Sequence, residues 1–300
     1  MSIVYTSYYP EFHCLAGACR HSCCVGWEID IDPRSLERYS RLSGPLGEEL
    51  RRCISHEDTP HFILTEGERC PFLRGDGLCR LILSGGQELL CQICADHPRF
   101  RNFLPGREEI GLGLCCQAAA ELILSRQEPV SLVEQGTAEE HDPEAEALLE
   151  LRRRAFGLAQ ERTLPLEVRC DRLLRLCGSM EPGHPADWAD VLLGLERLDP
   201  AWTALLEELA LRGREAPAPE EPEVVWEQLL VYFLYRHLLG AWEDGNVGGR
   251  AAFAVMSVRL LRCLRGLHPR LPLAELCRMY SAEVEYSEDN LQVLLEECSV

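Results

Sequence analysis

The clearest absence in this chain is lysine, because all 30 of its basic residues are arginine. Biased codon usage in a GC-rich genome explains this absence without a functional cause. The basic residues are outnumbered by 49 acidic ones, which gives a formal net charge of −19 and an isoelectric point near 4.9. An acidic chain lacks the basic face that nucleic-acid binding needs, so we expect no nucleic-acid partner.

Long apolar segments are also lacking. No run approaches the roughly 18 apolar residues of a membrane-spanning helix, so no membrane association is expected. The first residues, MSIVYTSYYPEFHC, lack the basic and then apolar regions of a secretory signal. The expected location is therefore the cytoplasm, where thiols stay reduced. The 16 cysteines then call for an explanation other than disulfides, and metal binding is the usual one.

Several nucleotide-binding and catalytic motifs are missing. The sequence contains no P-loop and no G-x-S-x-G elbow, and the segment GLGL at 111–114 lacks the third glycine, the preceding strand and the later acidic residue of a Rossmann turn. The radical-type triad Cys-x-x-x-Cys-x-x-Cys is absent as well; the nearest spacing joins Cys14, Cys19 and Cys23. The usual cradles therefore do not hold a nucleotide-derived cofactor in this chain.

The cysteines divide the chain. Eleven of the 16 lie between Cys14 and Cys116, and the rest are scattered through a C-terminal part whose apolar residues recur at helical spacing. This asymmetry predicts a Cys-rich, metal- or cluster-binding module over residues 1–126, a linker over 127–143 and a helical domain over 144–300. The predicted fold class is mainly α, with a short β-hairpin in the Cys-rich module and a multi-helix domain after it.

Local patterns refine this prediction. Asp32-Pro33 is typical of a helix N-cap and first turn. The segment HFILTEGERCPFL predicts two short strands around a glycine turn, and QELLCQICADHPRF predicts a helix that ends before Pro98.

Thiolates are soft ligands that suit zinc and iron–sulfur clusters, and one site takes about four protein ligands. Free buried cysteines behave as small hydrophobes, but that explanation is poor for ten of them in about a hundred residues. Cys53 and the five C-terminal cysteines are assigned to it. The candidate metal ligands are Cys14, Cys19, Cys23, Cys24, Cys70, Cys79, Cys91, Cys94 and Cys116. They exceed the need of one site, and the residues leave open which four act and whether they hold zinc or iron.

The ordered segments CLAGACRHSCCVGWEIDID, RCPFLRGDGLCRL, LLCQICADHPRF and CCQAAAELIL resemble the N-terminal part of the bacterial flagellin lysine-N-methylase family. Their core is similar to a Cys-rich domain described as zinc- or iron-chelating. EQLLVYFLYRHLLGAW and MYSAEVEYSEDNLQ resemble the family too, so the resemblance covers about 10–125 and 224–295. The chain departs from the family at Cys115, Gln117, Ala118 and Tyr286, where serine, proline, glutamate and histidine are expected.

The resemblance implies methyl transfer from S-adenosylmethionine to lysine ε-amines of flagellin or another lysine-bearing protein, with a [4Fe-4S] cluster in the enzyme and zinc as the alternative metal. A cluster with one open iron would bind the amino and carboxylate groups of S-adenosylmethionine in place of the missing Rossmann cradle. A methylase without lysines cannot modify itself, and an acidic surface suits a basic substrate.

A lysine amine has a pKa of about 10.4 and must lose its proton before it attacks a methyl group. Tyr280, Glu283 and Asn290 are the candidate catalytic residues, because their spacing places them on one face of a C-terminal helix, with Tyr286 in the same stripe. Glu285 points elsewhere and is expected to pair with an arginine. The alternative interpretation of this face is a solvated helix surface.

Two other functions stay open at this point. One is a non-catalytic iron- or zinc-chelating protein with a helical partner-binding domain. The other is a redox sensor whose low-pKa cysteines respond to oxidant.

Overall fold

The computed structural model describes residues 1–55, 59–137 and 142–299. Two compact units form: a smaller one from residues 13–99, and a larger one from residues 1–12 together with 100–300. The division at residues 126 and 143 stays a prediction, and residues 138–141 of the predicted linker lie outside the described residues. In the structure, residues 100–126 belong to the larger unit.

The smaller unit is built from short elements. Asp32 caps helix α1 (Pro33–Arg41) by accepting the Ser35 N–H at 3.0 Å, as the Asp-Pro pattern predicts. The other elements are α2 (Pro45–Arg52), β2 (Ile54–Ser55), β3 (His61–Phe62), α3 (Arg80–Gly85) and α4 (Gln92–Asp96).

The predicted hairpin differs in its pairing. Strand β3 pairs with the preceding β2 in an antiparallel two-stranded sheet, with Ile54 opposite Phe62. Across the glycine turn only a single antiparallel bridge joins Thr65 to Arg69. The second predicted strand does not form, because among the described residues this segment makes only isolated bridges, from Arg69 to Val25 and from Leu73 to Cys79.

Ten buried residues form the core of the smaller unit, and two of them are candidate metal ligands. They are Ile29, Ile31, Tyr39, Leu50, Ile54, Phe62, Cys70, Phe72, Leu81 and Cys91. The thiols are therefore part of the packing and not an addition to its surface.

A four-stranded sheet lies in the larger unit, and the sequence did not predict it. Its strand order is β4-β5-β1-β6, where the strands are β1 (Ser2–Thr6), β4 (Arg99–Leu104), β5 (Arg107–Leu112) and β6 (Leu132–Gln135). Strand β1 pairs with β5 in parallel and with β6 in antiparallel orientation.

This sheet corrects two expectations. Strand β5 leads into GLGL, so the preceding strand that the motif was said to lack is present, although the third glycine is not. Strand β6 lies inside the predicted linker. Its acidic sequence showed no sign of a strand, which forms by pairing with β1.

The rest of the larger unit is helical, which confirms the mainly α fold. The helices are α5 (Gln117–Leu124), α6 (Pro143–Ala159), α7 (Leu166–Leu176), α8 (Pro185–Gly194), α9 (Pro200–Arg212), α10 (Glu223–His237), α11 (Ala241–Asp244), α12 (Val247–Leu267), α13 (Leu273–Tyr280) and α14 (Glu288–Glu297). Short 3₁₀ turns occur in both units, at Tyr9–Glu11, Ala16–Ala18, Gln87–Leu89, Gly213–Glu215 and Leu238–Gly240.

Helices α10 and α12 pack together at the centre of this unit. Both are buried on most of their circumference, as expected for helices that are apolar all round. Within the described residues, no helix combines the length and the apolar character needed to cross a lipid bilayer.

Candidate functional site

Backbone hydrogen bonds bring three segments of the smaller unit together around its thiols. The Cys70 N–H donates to the Cys24 carbonyl at 2.8 Å, and a β-bridge joins Leu73 to Cys79. These bonds fix Cys24, Cys70 and Cys79 on neighbouring strands of backbone. Cys24 and Cys79 are more than fifty residues apart in the sequence, so the fold brings them together.

The loop that carries Cys14 and Cys19 is held by a close approach of two glycines. A Cβ on Gly17 would lie 2.8 Å from the Asp76 carbonyl oxygen, and one on Gly77 would lie 3.2 Å from the Gly17 Cα. Only glycine fits both positions, so the first cysteine segment lies directly against the Gly-Asp-Gly turn that precedes Cys79.

Asp32 also sets the position of the Cys91-x-x-Cys94 segment. Its second carboxylate oxygen accepts the Gln92 N–H at 2.8 Å, at the start of α4. The Tyr39 hydroxyl donates to the Leu89 carbonyl at 2.7 Å. These two contacts from α1 and its N-cap residue therefore hold the backbone at Leu89 and Gln92, on either side of Cys91.

Hydrogen bonds join the thiols in two groups. Hydrogen bonds with Cys23 and then Cys70 lower the pKa of the Cys24 thiol to about 3, whereas the bond with Cys24, and then burial, raises the pKa of Cys70. In the same way, the bond between Cys91 and Cys94 lowers the pKa of the first and raises that of the second. Each pair therefore favours one thiolate that accepts the proton of its neighbour.

Two further groups complete this surrounding. Cys79 interacts electrostatically with Cys24 and Cys91, and burial raises its pKa. His97 faces Cys24, and burial lowers the pKa of its ring. His97 was missed by the sequence analysis; the signal was its position three residues after Cys94. In residues 1–55, 59–137 and 142–299, no group of three or more His, Cys, Asp or Glu side chains is arranged so that it could hold a metal ion.

None of the 16 cysteines, all of which the structure describes, forms a disulfide. Of the nine predicted ligands, eight lie in the smaller unit, and six of these interact with another thiol of the set. Those six are Cys23, Cys24, Cys70, Cys79, Cys91 and Cys94. Cys116 lies in the larger unit, as the N-cap residue of α5.

The three predicted catalytic residues are all buried in the larger unit. The Tyr280 hydroxyl lies 2.7 Å from the Ser257 hydroxyl. The two Glu283 oxygens accept the Leu198 and Asp199 N–H groups at 2.9 and 2.7 Å, and burial raises the pKa of this carboxyl group.

Asn290 is brought to Glu283 by a different geometry from the one expected. Its Nδ2 donates to the Glu283 carbonyl at 2.8 Å and to the Glu196 carbonyl at 2.9 Å. The two residues do not share one α-helix, because a π-helical turn at Ser281–Glu285 separates α13 from α14. Such turns often accompany functional sites.

The π-helical turn also directs Glu285 into the core of the larger unit, where it forms a charged network. Its carboxylate lies 3.2 Å from Arg236 Nε and 2.7 Å from His237 Nε2, and it accepts the Tyr232 hydroxyl at 2.8 Å. Although burial acts to raise it, Arg236 holds the pKa of Glu285 below its ordinary value. The expected pairing of Glu285 with an arginine is therefore present.

This network reaches the segment that contains the predicted ligand Cys116. Tyr232 accepts the Leu114 N–H at 3.2 Å, and Tyr286 is hydrogen-bonded to Cys115, whose pKa burial raises to about 12. The Arg236 guanidinium lies 4.7 Å from the centre of the Tyr286 ring, a cation–π contact. The role of Arg236 and Tyr232 was missed by the sequence analysis. The signal was an Arg-His pair that follows the apolar run LLVYFLY and ends helix α10.

Comparison with known proteins supports one family. The chain is similar to proteins named lysine-N-methylase from Salmonella typhimurium and Salmonella choleraesuis, each at 26% identity over 148 residues, which cover 45% of this chain and 35% of the relative. It is also similar to flagellar biosynthetic protein FliU from Salmonella muenchen, at 22% identity over 148 residues, 47% of this chain and 88% of the relative.

No protein-family model matches the chain, and no solved structure matches it. The similarity spans only about a third of the length of the two lysine-N-methylases. It nevertheless confirms the resemblance predicted from the cysteine segments: the chain is distantly similar to proteins named lysine-N-methylase and to the FliU protein.

Proposed function

We propose that this chain catalyses methyl transfer from S-adenosylmethionine to lysine side chains of a protein substrate, flagellin in the first place, with a [4Fe-4S] cluster held by thiols of the smaller unit. The observation that carries the proposal is the similarity to proteins named lysine-N-methylase. The 36 acidic residues of the larger unit, against 20 arginines, suit a lysine-bearing partner.

The thiols of the smaller unit fit such a group by their chemistry. Five of them form two hydrogen-bonded groups, Cys24 with Cys23 and Cys70, and Cys91 with Cys94, and Cys79 interacts with a member of each group. Hydrogen-bonded pairs are the arrangement that partly protonated thiols adopt, and metal binding releases the protons they share. The same set also suits zinc, since zinc and iron–sulfur clusters take the same soft ligands.

A cluster with one open iron would supply a binding site for the amino and carboxylate groups of S-adenosylmethionine. The chain itself must then orient the lysine and accept its proton. Among the three predicted catalytic residues, Glu283 suits the second task best, because its carboxylate has a raised pKa and lone pairs beyond the two it uses. Only 5% of Glu283 is exposed, so this role requires the Leu198–Asp199 segment to yield when the substrate binds.

The first experiment is metal analysis of protein purified without oxygen. We expect about four irons and four sulfides per chain, and an absorption spectrum that changes when S-adenosylmethionine is added. Cys91→Ser and Cys24→Ser should lose the iron, whereas the control Cys53→Ser, in the same unit, should keep it. Stoichiometric zinc without colour would instead favour a structural metal site, and reversible dithiol oxidation without metal would favour the redox sensor.

The second experiment tests the reaction. Purified flagellin and S-adenosylmethionine are incubated with the protein, and lysine methylation is followed by peptide mass spectrometry. We expect methylated lysines with the wild-type chain and a strong loss in Glu283→Gln, accompanied by a changed pH–rate profile. A Glu283→Gln protein that is merely less stable, with an unchanged profile, would assign Glu283 a structural role. An iron-loaded chain that methylates no lysine would refute the methylase.

A further inference from the structure

A second polar site lies in the larger unit, apart from every residue discussed so far. A cavity of about 210 Å³ is lined by Gln127, Arg162, Arg169, Glu223, Val224 and Glu227. Val224 is the one aliphatic residue of this lining. Four of the six lining residues are charged, whereas ligand pockets are usually lined by apolar side chains, which raises the question of what this cavity accepts.

The floor of this cavity is a buried ion-pair cluster. The Glu227 side chain is 1% exposed and the Arg169 side chain 2%. Arg169 Nη1 donates to Glu227 at 2.8 Å, and Arg162 Nη2 donates to the same carboxylate at 2.8 Å. Buried ion pairs bring little net stability, because desolvation offsets most of their attraction. A contribution to stability is therefore a weak explanation for the presence of this ion-pair cluster.

The rim of the cavity carries hydrogen-bonding capacity that the protein does not use. Arg162 donates through Nε and Nη2, and its Nη1 has no partner among the described residues. Its side chain is 41% exposed. The Glu223 carboxylate, 53% exposed, accepts one bond at each oxygen, from the Leu166 N–H and from Arg169. Each oxygen can accept a second bond.

A third unused group lies deeper. Among the residues that the structure describes, Arg169 Nε is buried without a hydrogen-bond partner. The side chain is almost fully buried, and such an unsatisfied donor calls for a partner that the protein does not supply. The site thus offers unsatisfied hydrogen-bond donors on the guanidinium groups of Arg162 and Arg169, and free acceptor capacity on the Glu223 carboxylate.

The charge balance selects the class of ligand. Two arginines and two glutamates line the cavity, so a simple anion would face two carboxylates and a simple cation two guanidiniums. A ligand that carries a carboxylate and an ammonium group on the same carbon matches both without leaving a charge unpaired. We propose that this cavity binds the zwitterionic head group of a free α-amino acid, with its carboxylate on Arg162 and its ammonium on Glu223.

The proposal is independent of methyl transfer, since none of these residues belongs to the thiol set or to the Tyr280–Asn290 segment. The test uses the full chain and isothermal titration calorimetry with each of the common L-α-amino acids at millimolar concentration. At least one should bind. Its N-acetyl derivative, which lacks the ammonium, and its amide, which lacks the carboxylate, should each bind at least about tenfold more weakly, as loss of a charge-assisted hydrogen bond implies.

Arg162→Gln is the informative variant, because this side chain is partly exposed and the fold should tolerate its loss. It should weaken binding by at least about tenfold, and so should Glu223→Gln. Arg153→Gln, which removes an exposed arginine paired with Glu150, is the control and should bind normally. Circular dichroism checks that each variant is folded. The proposal is overturned if no amino acid binds, if either one-charge analogue binds as tightly, or if folded Arg162→Gln binds normally.

Discussion

The two compact units differ in what fills their cores. The longest helix of the smaller unit is α1, with nine residues, and Cys70 and Cys91 belong to its core. The larger unit is organised around α10 and the 21-residue α12, whose buried residues are mostly apolar. Nine of the 16 cysteines lie in the smaller unit, although it has less than a third of the residues.

This difference separates two sources of stability. The larger unit buries enough aliphatic and aromatic surface to be stable without a ligand. The smaller unit has fewer than a hundred residues, and its core contains ionisable thiols whose pairs favour one charge each. Small units with such cores commonly depend on metal for part of their folding free energy. The comparison therefore predicts that perturbations will act on one unit at a time.

The largest effect should follow metal removal. If the thiols hold a metal, a chelator or acid treatment under reducing conditions should loosen the smaller unit and leave the larger one folded. Hydrogen exchange read by mass spectrometry should accelerate at least about tenfold over residues 69–97. Peptides from α12 serve as the internal control and should exchange at an unchanged rate. Equal exchange of residues 69–97 with and without metal would contradict the dependence of this unit on its ligand.

The second effect concerns the larger unit alone. Glu285→Ala leaves Arg236 and His237 without their buried carboxylate, and breaking a buried pair in this way costs about 3–5 kcal/mol of unfolding free energy. Urea unfolding followed by circular dichroism measures the change. Glu207→Ala removes an exposed carboxylate from the middle of α9 and should change stability by less than about 0.5 kcal/mol. Similar losses in both variants would mean that the network contributes no special stability.

The helical part of the fold could be predicted from the sequence, because caps and periodicity are local signals. Asp32-Pro33 marks the start of α1, and the apolar spacing after residue 144 marks the helices that follow. The four-stranded sheet could not be predicted in this way. Strand β1 pairs with β5 more than a hundred residues away, and strands of four to six residues carry little periodicity of their own.

The site shows the same limit. Clustering of cysteines predicted that thiols would meet, but pairing of Cys24 with Cys70 depends on backbone hydrogen bonds between distant segments. The π-helical turn had no visible signal either. Helical spacing assigned Glu283 and Glu285 to different faces and left the face of Glu283 open to solvent as one interpretation, whereas the structure buries both side chains.

A third effect, smaller than the loss of Glu285, is a dependence of stability on pH. Burial lowers the pKa of His237 against the attraction of Glu285, and Arg236 and Arg250 act in the same direction as burial. Below about pH 6.5 the unfolded chain therefore binds a proton that the native ring resists. The free energy of unfolding should fall as the pH is lowered through this range. His237→Gln should show a flatter dependence, and an equally steep one would assign the acid sensitivity to other groups.

The smallest effect should come from Asp32→Ala, and it should be confined to the smaller unit. The substitution removes the cap of α1 and the acceptor for the Gln92 N–H, a loss of about 1–2 kcal/mol. Because Gln92 follows Cys91, the local effect should exceed the global one, and the metal-free protein should alkylate faster at Cys91, as read by peptide mass spectrometry.

Glu37→Ala is the matched control, since it removes from the same helix a carboxylate whose one ion-pair partner among the described residues is Arg41, at the surface. Such exposed pairs contribute a few tenths of a kcal/mol, so alkylation at Cys91 should be unchanged. If Asp32→Ala and Glu37→Ala alkylate Cys91 at the same rate, Asp32 does not hold the Cys91–Cys94 segment. The order of that segment would then have to come from the thiol pairing itself, and the protein would place its ligands only as they bind.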